Sequence, residues 1–304
     1  MITEKDKAAI TKALQKKEDE ALRLIAANYR QALKEIRNEL TQVYEKYAID
    51  GKLTYAEMSK YNRLTKLEAE ILKEINGMYN DNAKVILRLG PEIYQESFYR
   101  HHWGISRAYG IDVNFGLLRP EQVREAVRNP MTKISLDGIK GEGLTGIRRT
   151  IMQGLIQGKS YTKMSKSITE FAERTAAGYE RIVRTEGQRA AVKGNQAVSQ
   201  DLRNRGFEID EVWLATLDGA TRQEKQSLDN TTATMRGGKA QWFIPGTGWV
   251  DGPVQTGVAA LDINCRCDSF AEIREFPDKY RRQRDEGIIQ NVPYPVWKAL
   301  HDSK

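Results

Sequence analysis

The sequence predicts an α+β protein, mainly helical, with a long N-terminal helical hairpin, a helical middle region and a small C-terminal α+β domain holding a short antiparallel sheet. Three observations carry that reading. Apolar residues recur at spacings of three and four through much of the first 200 residues, the period of one helix face. After Gly206 the period gives way to alternation broken by Gly-Gly, Pro-Gly and Asp-Gly turns. Both cysteines and three of the five tryptophans also fall between Phe207 and Ile273, so whatever is specific about the chain concentrates there.

Composition sets the outer bounds. At 304 residues the chain is long enough for two domains, or for one domain with a helical extension. Its 40% hydrophobic and 29% charged content suits a water-exposed protein, and no apolar run reaches the roughly 18–20 residues that span a bilayer. The N-terminus, MITEKDKAAITKALQKKEDE, lacks the apolar segment of a secretory signal, so synthesis and assembly in the cytoplasm are expected, with no membrane partner. Two cysteines make no disulfide framework. The net charge of +7 is uneven: residues 117–206 hold 17 Lys+Arg against 9 Asp+Glu, whereas residues 207–304 hold 12 against 15. A middle third of that sign attracts polyanions in a salt-dependent way, or is simply a solvated helical face.

Residues 1–110 form the expected hairpin extension. Leu22, Ile25, Tyr29, Leu33, Ile36, Leu40, Val43 and Tyr47 make one apolar seam. Asp50-Gly51-Lys52 breaks it, and Thr54 with Glu57 forms a capping box for the returning helix. Tyr61, Leu64, Leu67, Ile71, Ile75 and Met78 make the second seam. The aromatic-rich continuation to Tyr109 is expected to dock on the following domain. Its adjacent His101 and His102 point about 100° apart on a helix, which disfavours a shared metal ion. Residues 111–140 read as a linker plus a short helix, PEQVREAV, stopped at Asn129-Pro130. Gly138, Gly141, Gly143 and Gly146 read as a flexible connection.

Residues 141–273 are the expected C-terminal domain. Helices are predicted at about 145–158, 161–174 and 176–205, the last closed by Gly206. That last helix carries Arg181, Lys193, Arg203 and Arg205, the candidate DNA contacts. Strands are expected at 207–209, 212–216, 240–244 and 263–270, with a turn at Leu217-Asp218-Gly219 and a short helix from Thr221 to Leu228. Residues 274–304 form a tail in which Pro293, Tyr294, Pro295 and Trp297 are either a docking peptide or a terminus without its own role.

Several elements together resemble a known family. They are Arg184-Thr185-Glu186 on a helix, Trp213, Thr216, Asp218, Thr221-Arg222, Leu228-Asp229, and finally Ile263-Asn264-Cys265-Arg266-Cys267. In that order they resemble the head-morphogenesis domain of phage minor capsid proteins of the Mu F type, over about residues 140–273. The resemblance implies a virion protein of a tailed phage, taken up during prohead assembly and placed in the head interior or at the portal vertex. The implied partners are the portal protein, scaffold or major capsid protein, and double-stranded DNA in some members.

The family usually has a histidine where this chain has Lys225. Histidine with the Cys-x-Cys pair suggests three zinc ligands, but lysine is a poor ligand, and Asp218, Asp262 or Asp268 would have to substitute. The expectation is therefore no metal and no cofactor, with Cys265 and Cys267 as reduced thiols on one face of a core strand and Arg266 on the other. Arg184, Glu186, Asp218 and Arg222 are expected to meet in a bidentate network that locks helix to sheet. The alternative is an enzyme of nucleotidyl- or ADP-ribosyl-transferase type that uses the Arg-Thr-Glu and Cys-Arg-Cys elements. Serine-type triad chemistry is excluded because no histidine lies between His102 and His301.

Overall fold

The computed structural model describes residues 4–110, 118–216, 221–274, 280–283 and 287–290. The expected linker at 111–117, the turn holding Asp218 and the Pro-Tyr-Pro segment of the tail lie outside the described residues. The architecture is the expected one, mainly helical with small antiparallel sheets near the C-terminus. Helix α1 (Glu4–Tyr47) ends just before Asp50 and Gly51, both in the left-handed region. Thr54 caps the short α2 (Tyr55–Ser59), its Oγ1 accepting the Glu57 amide at 3.3 Å. Only half of the capping box forms, because the Glu57 carboxylate pairs with Lys60 and Arg63. A 3-10 turn (Lys60–Asn62) with left-handed Tyr61 and Asn62 follows, so Tyr61 is 83% exposed rather than part of a seam. Helix α3 (Arg63–Tyr109) then runs on through Pro91.

After α4 (Pro120–Val127) come α5 (Pro130–Ile156) and α6 (Tyr161–Asn204). The three helices expected between 145 and 205 are thus two. The residues cluster into two compact units: one comprises Met1–Lys16, Gly90–Arg128 and Gly187–Lys304, the other Lys17–Leu89 and Asn129–Glu186. Helices α1, α3 and α6 each contribute to both.

The second unit is helical throughout. Ile25, Tyr29, Ile36 and Leu40 of α1 are buried, as are Leu67, Ile71, Ile75 and Tyr79 of α3. The α1 seam is rotated from the expected one: Ala21 and Ala32 are buried while Leu22 and Leu33 are only half-buried. Three tyrosines centre this core. Tyr79 stacks on Tyr179 at 5.9 Å, Tyr29 meets Tyr179 edge-on, and the Tyr29 hydroxyl donates to Thr175 Oγ1 at 3.1 Å.

The glycines of α5 correct the sequence reading, for they lie inside a continuous helix. A Cβ on Gly143 would sit 1.6 Å from the Tyr79 Oη, and one on Gly146 would sit 2.1 Å from the Phe171 ring. These positions must be small so that aromatic rings can lie against the α5 backbone. Gly138, by contrast, faces open space.

The first unit holds the sheets. Strand β1 (Ile209–Leu214) pairs antiparallel with β5 (Asp268–Ile273), Val212 opposite Phe270. Between them lie α7 (Gln223–Gln226), a three-stranded antiparallel sheet of β2 (Thr234–Arg236), β3 (Lys239–Ile244) and β4 (Gly248–Val250), and α8 (Ala259–Asp262). A hairpin, β6 (Tyr280–Gln283) with β7 (Gly287–Gln290), lies in the segment read only as tail. The expected last strand at 263–270 is displaced: a turn at Ile263-Asn264 and unpaired chain to Cys267 occupy its first half, and pairing starts at Asp268. In α3, His101 and His102 are core residues, His101 lying 5.0 Å from the Phe270 ring. Burial pushes both imidazoles down to about 4. The aromatic segment does pack where the strands are, as expected.

Adding a methyl at Gly143 is expected to destabilise the chain by about 1–3 kcal/mol, because Tyr79 is fixed by its stack. The same change at Gly138 is expected to stabilise by up to about 1 kcal/mol through helix propensity. Urea unfolding of Gly143→Ala and Gly138→Ala measures both, and equal effects would contradict the role assigned to Gly143.

Candidate functional site

From Gly187 onward α6 presents amide and guanidinium groups at heptad spacing, and they reach main-chain carbonyls of the sheet region. Gln188 Nε2 donates to the Cys267 carbonyl at 2.9 Å, and seven residues on Asn195 Nδ2 donates to the Ser269 carbonyl. On the neighbouring stripe Arg189 Nε donates to the Val254 carbonyl at 3.1 Å, Gln196 Nε2 to Asp251 at 2.6 Å and Arg203 to Ile209 at 3.2 Å. Val254 is buried with φ +57, a costly conformation for a β-branched residue, and the Arg189 bond helps hold it. Sequence reading took this stretch for a charged outer face. The signal that identifies it is the seven-residue repeat of Gln188 with Asn195 and of Arg189 with Gln196 and Arg203.

The signature residues mostly close loops. Thr216 Oγ1 donates to the Arg266 carbonyl at 2.8 Å, so Thr216 and Gln188 hold two successive carbonyls of Cys-Arg-Cys. Thr221 donates to the Thr216 carbonyl, and Asp229 accepts the Ala215 amide at 2.8 Å. Arg222 donates to the carbonyls of Leu261 and Ile263. Asn264 occupies the left-handed region at φ +56, which asparagine tolerates better than most residues. Trp213 is fully buried and meets Trp242 edge-on at 5.4 Å.

In the helical unit, Arg184 pairs with Glu180 at 3.2 Å and Glu18 at 3.8 Å. Burial raises the Glu18 carboxyl to about 7, and Arg184 opposes that shift. Thr185 is buried. Glu186 accepts from Asn129 Nδ2 at 3.0 and 3.2 Å, which leaves Asn129 Oδ1 to cap α5 at the Met131 amide. The expected network of Arg184, Glu186 and Arg222 is therefore replaced by separate local roles, because each group meets a nearer partner; Asp218 lies outside the described residues.

The cysteines are not on a hydrogen-bonded strand, which corrects the geometry expected for them. They lie in extended chain before β5, where the alternation still holds: Cys265 and Cys267 are buried, and Arg266 is exposed. They share a core cluster with Trp213, Leu228, Trp242, Ile244, Val250 and Val254. Lys225 enters the same region, 1% exposed, its Nζ 4.7 Å from the centre of the Trp213 ring. Asp262 is held by the Thr256 amide and hydroxyl and by the Gly257 amide, at 2.8–3.2 Å. Among the described residues no group of three His, Cys, Asp or Glu is disposed to hold a metal ion.

Three of the four expected DNA contacts are engaged within the first unit. Lys193 donates to the Ala126 carbonyl at 2.7 Å, Arg203 pairs with buried Glu211 at 2.8 Å, and Arg205 pairs with Asp201 at 2.9 Å. Lys193, Arg203 and Glu211 line an open polar cleft of about 300 Å³ with Gln196, Lys239 and Asp251. Arg181, in the other unit, is exposed. Arg203→Met is therefore expected to cost about 3 kcal/mol, since it strands a buried carboxylate, whereas Arg181→Met should stay within about 0.5 kcal/mol. Chemical unfolding of the two variants checks this, and equal stability would contradict the internal role of Arg203.

Comparison with known proteins follows the same division. Residues 145–270 match the family model described as Phage Mu protein F like protein. The chain is 28% identical over 275 residues to Minor head protein GP7 of Bacillus phage SPP1, covering 88% of each chain. It is 26% identical over 309 residues to a protein of Enterococcus faecalis (strain ATCC 700802 / V583) named NAD(+)--arginine ADP-ribosyltransferase EFV, covering 94% of this chain and 61% of that one. No solved structure matches it. Residues 145–270, which contain the α6 stripe and every described signature residue, are thus the part of the chain similar to the phage Mu protein F-like family.

Proposed function

We propose that this chain is a minor structural protein of a tailed-phage head, present in the virion, that joins the prohead during assembly and associates with the portal. The observation that carries this reading is the end-to-end similarity to a minor head protein, at 88% of both lengths. The site geometry agrees with a structural role. The signature side chains hold main-chain groups and fill a core, which suits a module that must keep its shape within an assembly. Portal is the proposed partner, and scaffold or major capsid protein are the others that such a place in the head would bring near.

A second reading rests on the similarity to an ADP-ribosyltransferase. The residues assigned to it are Arg184, Thr185 and Glu186 with Cys265, Arg266 and Cys267. Thr185 and both cysteines are buried, and Arg184 and Glu186 are bonded within the helical unit, so a structural role accounts for them better. Duplex DNA is a further proposed partner. Exposed Arg181 is the candidate contact that remains unburdened by a structural task.

The full chain is expected to co-sediment with purified portal rings of its own phage, and absence of binding would contradict portal association. Incubation with labelled NAD+ and an arginine-rich acceptor is expected to leave the acceptor unlabelled; transfer of label with release of nicotinamide would establish the enzymatic reading instead. Duplex binding should weaken with salt, and Arg181→Gln should lower the log–log salt slope by about one. An unchanged slope would remove Arg181 from the DNA surface.

A further inference from the structure

The core cluster of the sheet unit contains a charge that the structural reading does not use. On α7, Gln223, Glu224 and Gln226 are exposed while Lys225 between them is 1% exposed. Its Nζ is buried and makes no hydrogen bond among the described residues. A lysine in such a place either gives up its proton or is balanced by an opposite charge. The face of Trp213 favours the ammonium form. Among the described residues the groups that act on Lys225 electrostatically are Cys265, Cys267, Asp262 and, with the same sign, Arg222. Asp262 has its oxygens occupied by three donors from Thr256 and Gly257 and forms no ion pair with Lys225. Arg222 is turned to the carbonyls of Leu261 and Ile263. Among the described residues the two buried, unbridged thiols act on Lys225 more strongly than Asp262 does, and half-buried Asp268, which acts on Cys265, is pushed up to about 7 by burial.

We infer that Lys225 is held in this core as an ammonium ion, that Cys265 and Cys267 share one proton between two sulfurs, and that Cys265 is a masked thiolate nucleophile for soft electrophiles. A hydrogen bond from Cys267 and the nearby Lys225 charge both hold the Cys265 thiol below its ordinary value, against the effect of burial. Cys267 moves the other way, because its proton is the one that makes the bond. Burial pulls Lys225 down, and Cys265, Cys267 and Asp262 oppose that pull. The sign follows from these directions. The couple is intact above the lowered value of Cys265, and as pH falls through that value the sulfur takes a proton and Lys225 loses its counter-charge.

Alkylation discharges the couple in the same sense. The Cys265 sulfur attacks the methylene carbon of iodoacetamide, a C–S bond forms, the C–I bond breaks, and iodide leaves with the electron pair. No proton moves, and Lys225 is left opposite a neutral thioether. Reaction requires the α8–β5 connection to open, since the Cys265 side chain is 4% exposed.

Thiolate absorbance near 240 nm, followed on the full folded chain from pH 5 to 9, tests the inference together with mass-spectrometric mapping of brief iodoacetamide labelling. About one thiolate per chain is expected at pH 7, with a midpoint below 7 where an ordinary thiol titrates near 8.5. Label should fall on Cys265 in preference to Cys267. Lys225→Met should raise the midpoint by at least one pH unit, a tenfold fall in the ratio of thiolate to thiol at any given pH, and Cys267→Ala should raise it as well. Two thiols titrating at or above the ordinary value in the folded wild type would overturn the inference, and that measurement stands even if Lys225→Met fails to fold. A folded Lys225→Met chain with an unchanged midpoint would overturn it equally.

Discussion

The sheet unit depends on one constraint: helix α6 must satisfy, with its own side chains, carbonyl groups that no strand partner reaches. The pairs β1–β5 and β2–β3–β4 are short, and the chain between them is loop. Buried carbonyls in such loops cost free energy unless a donor meets them. Gln188, Arg189, Asn195, Gln196 and Arg203 supply those donors at seven-residue intervals, so one rigid helix fixes five separate points of the unit. Gly194, in the midst of them, allows α3 to come against α6, for a Cβ there would lie 2.5 Å from the Tyr94 carbonyl. The Ser97 hydroxyl fastens the same crossing by donating to the Ala191 carbonyl at 2.6 Å.

This arrangement explains why Thr216 and Cys-Arg-Cys, far apart in sequence, meet in the sheet unit. Cys-Arg-Cys matters as main chain as much as side chain: Thr216 and Gln188 take its carbonyls while its sulfurs turn into the core. Arg-Thr-Glu lies just before the stripe on the same helix, and there Glu186 orients the Asn129 cap of α5. A module built this way resists deformation. The buried Lys225 adds a second kind of stake, because a charge in a small core penalises any packing that does not supply its counter-charge.

Much of the fold was legible because periodicity reports burial directly. The helical N-terminal half, the stop at Asp50-Gly51, the Thr54 cap and the change of texture after Gly206 all appear in the structure. The misreadings share a cause. Tyr61, the α5 glycines and Ile263–Cys267 were judged from local preference, and tertiary contacts decided otherwise. Gly143 and Gly146 serve the Tyr79 and Phe171 rings, which lie far away in sequence. The donors Gln188, Asn195 and Gln196 were passed over because polar residues on a helix ordinarily face water, and nothing local says that a strand's carbonyls lie opposite. Likewise Lys193, Arg203 and Arg205 looked like a basic surface, since the Ala126 carbonyl, Glu211 and Asp201 that receive them are visible only once the chain is folded.

The central claim is that the α6 stripe carries the sheet unit, and amide hydrogen exchange of the Asn195→Leu chain tests it most directly. Asn195 is fully buried and its amide bonds the Ser269 carbonyl, so leucine removes the bond while keeping the bulk. Loss of about 1–3 kcal/mol there predicts exchange roughly 5- to 150-fold faster across Asp268–Ile273, with the tyrosine core around Tyr79 and Tyr179 unchanged. Wild-type protection of Asp268–Ile273 in a folded Asn195→Leu chain would contradict the account.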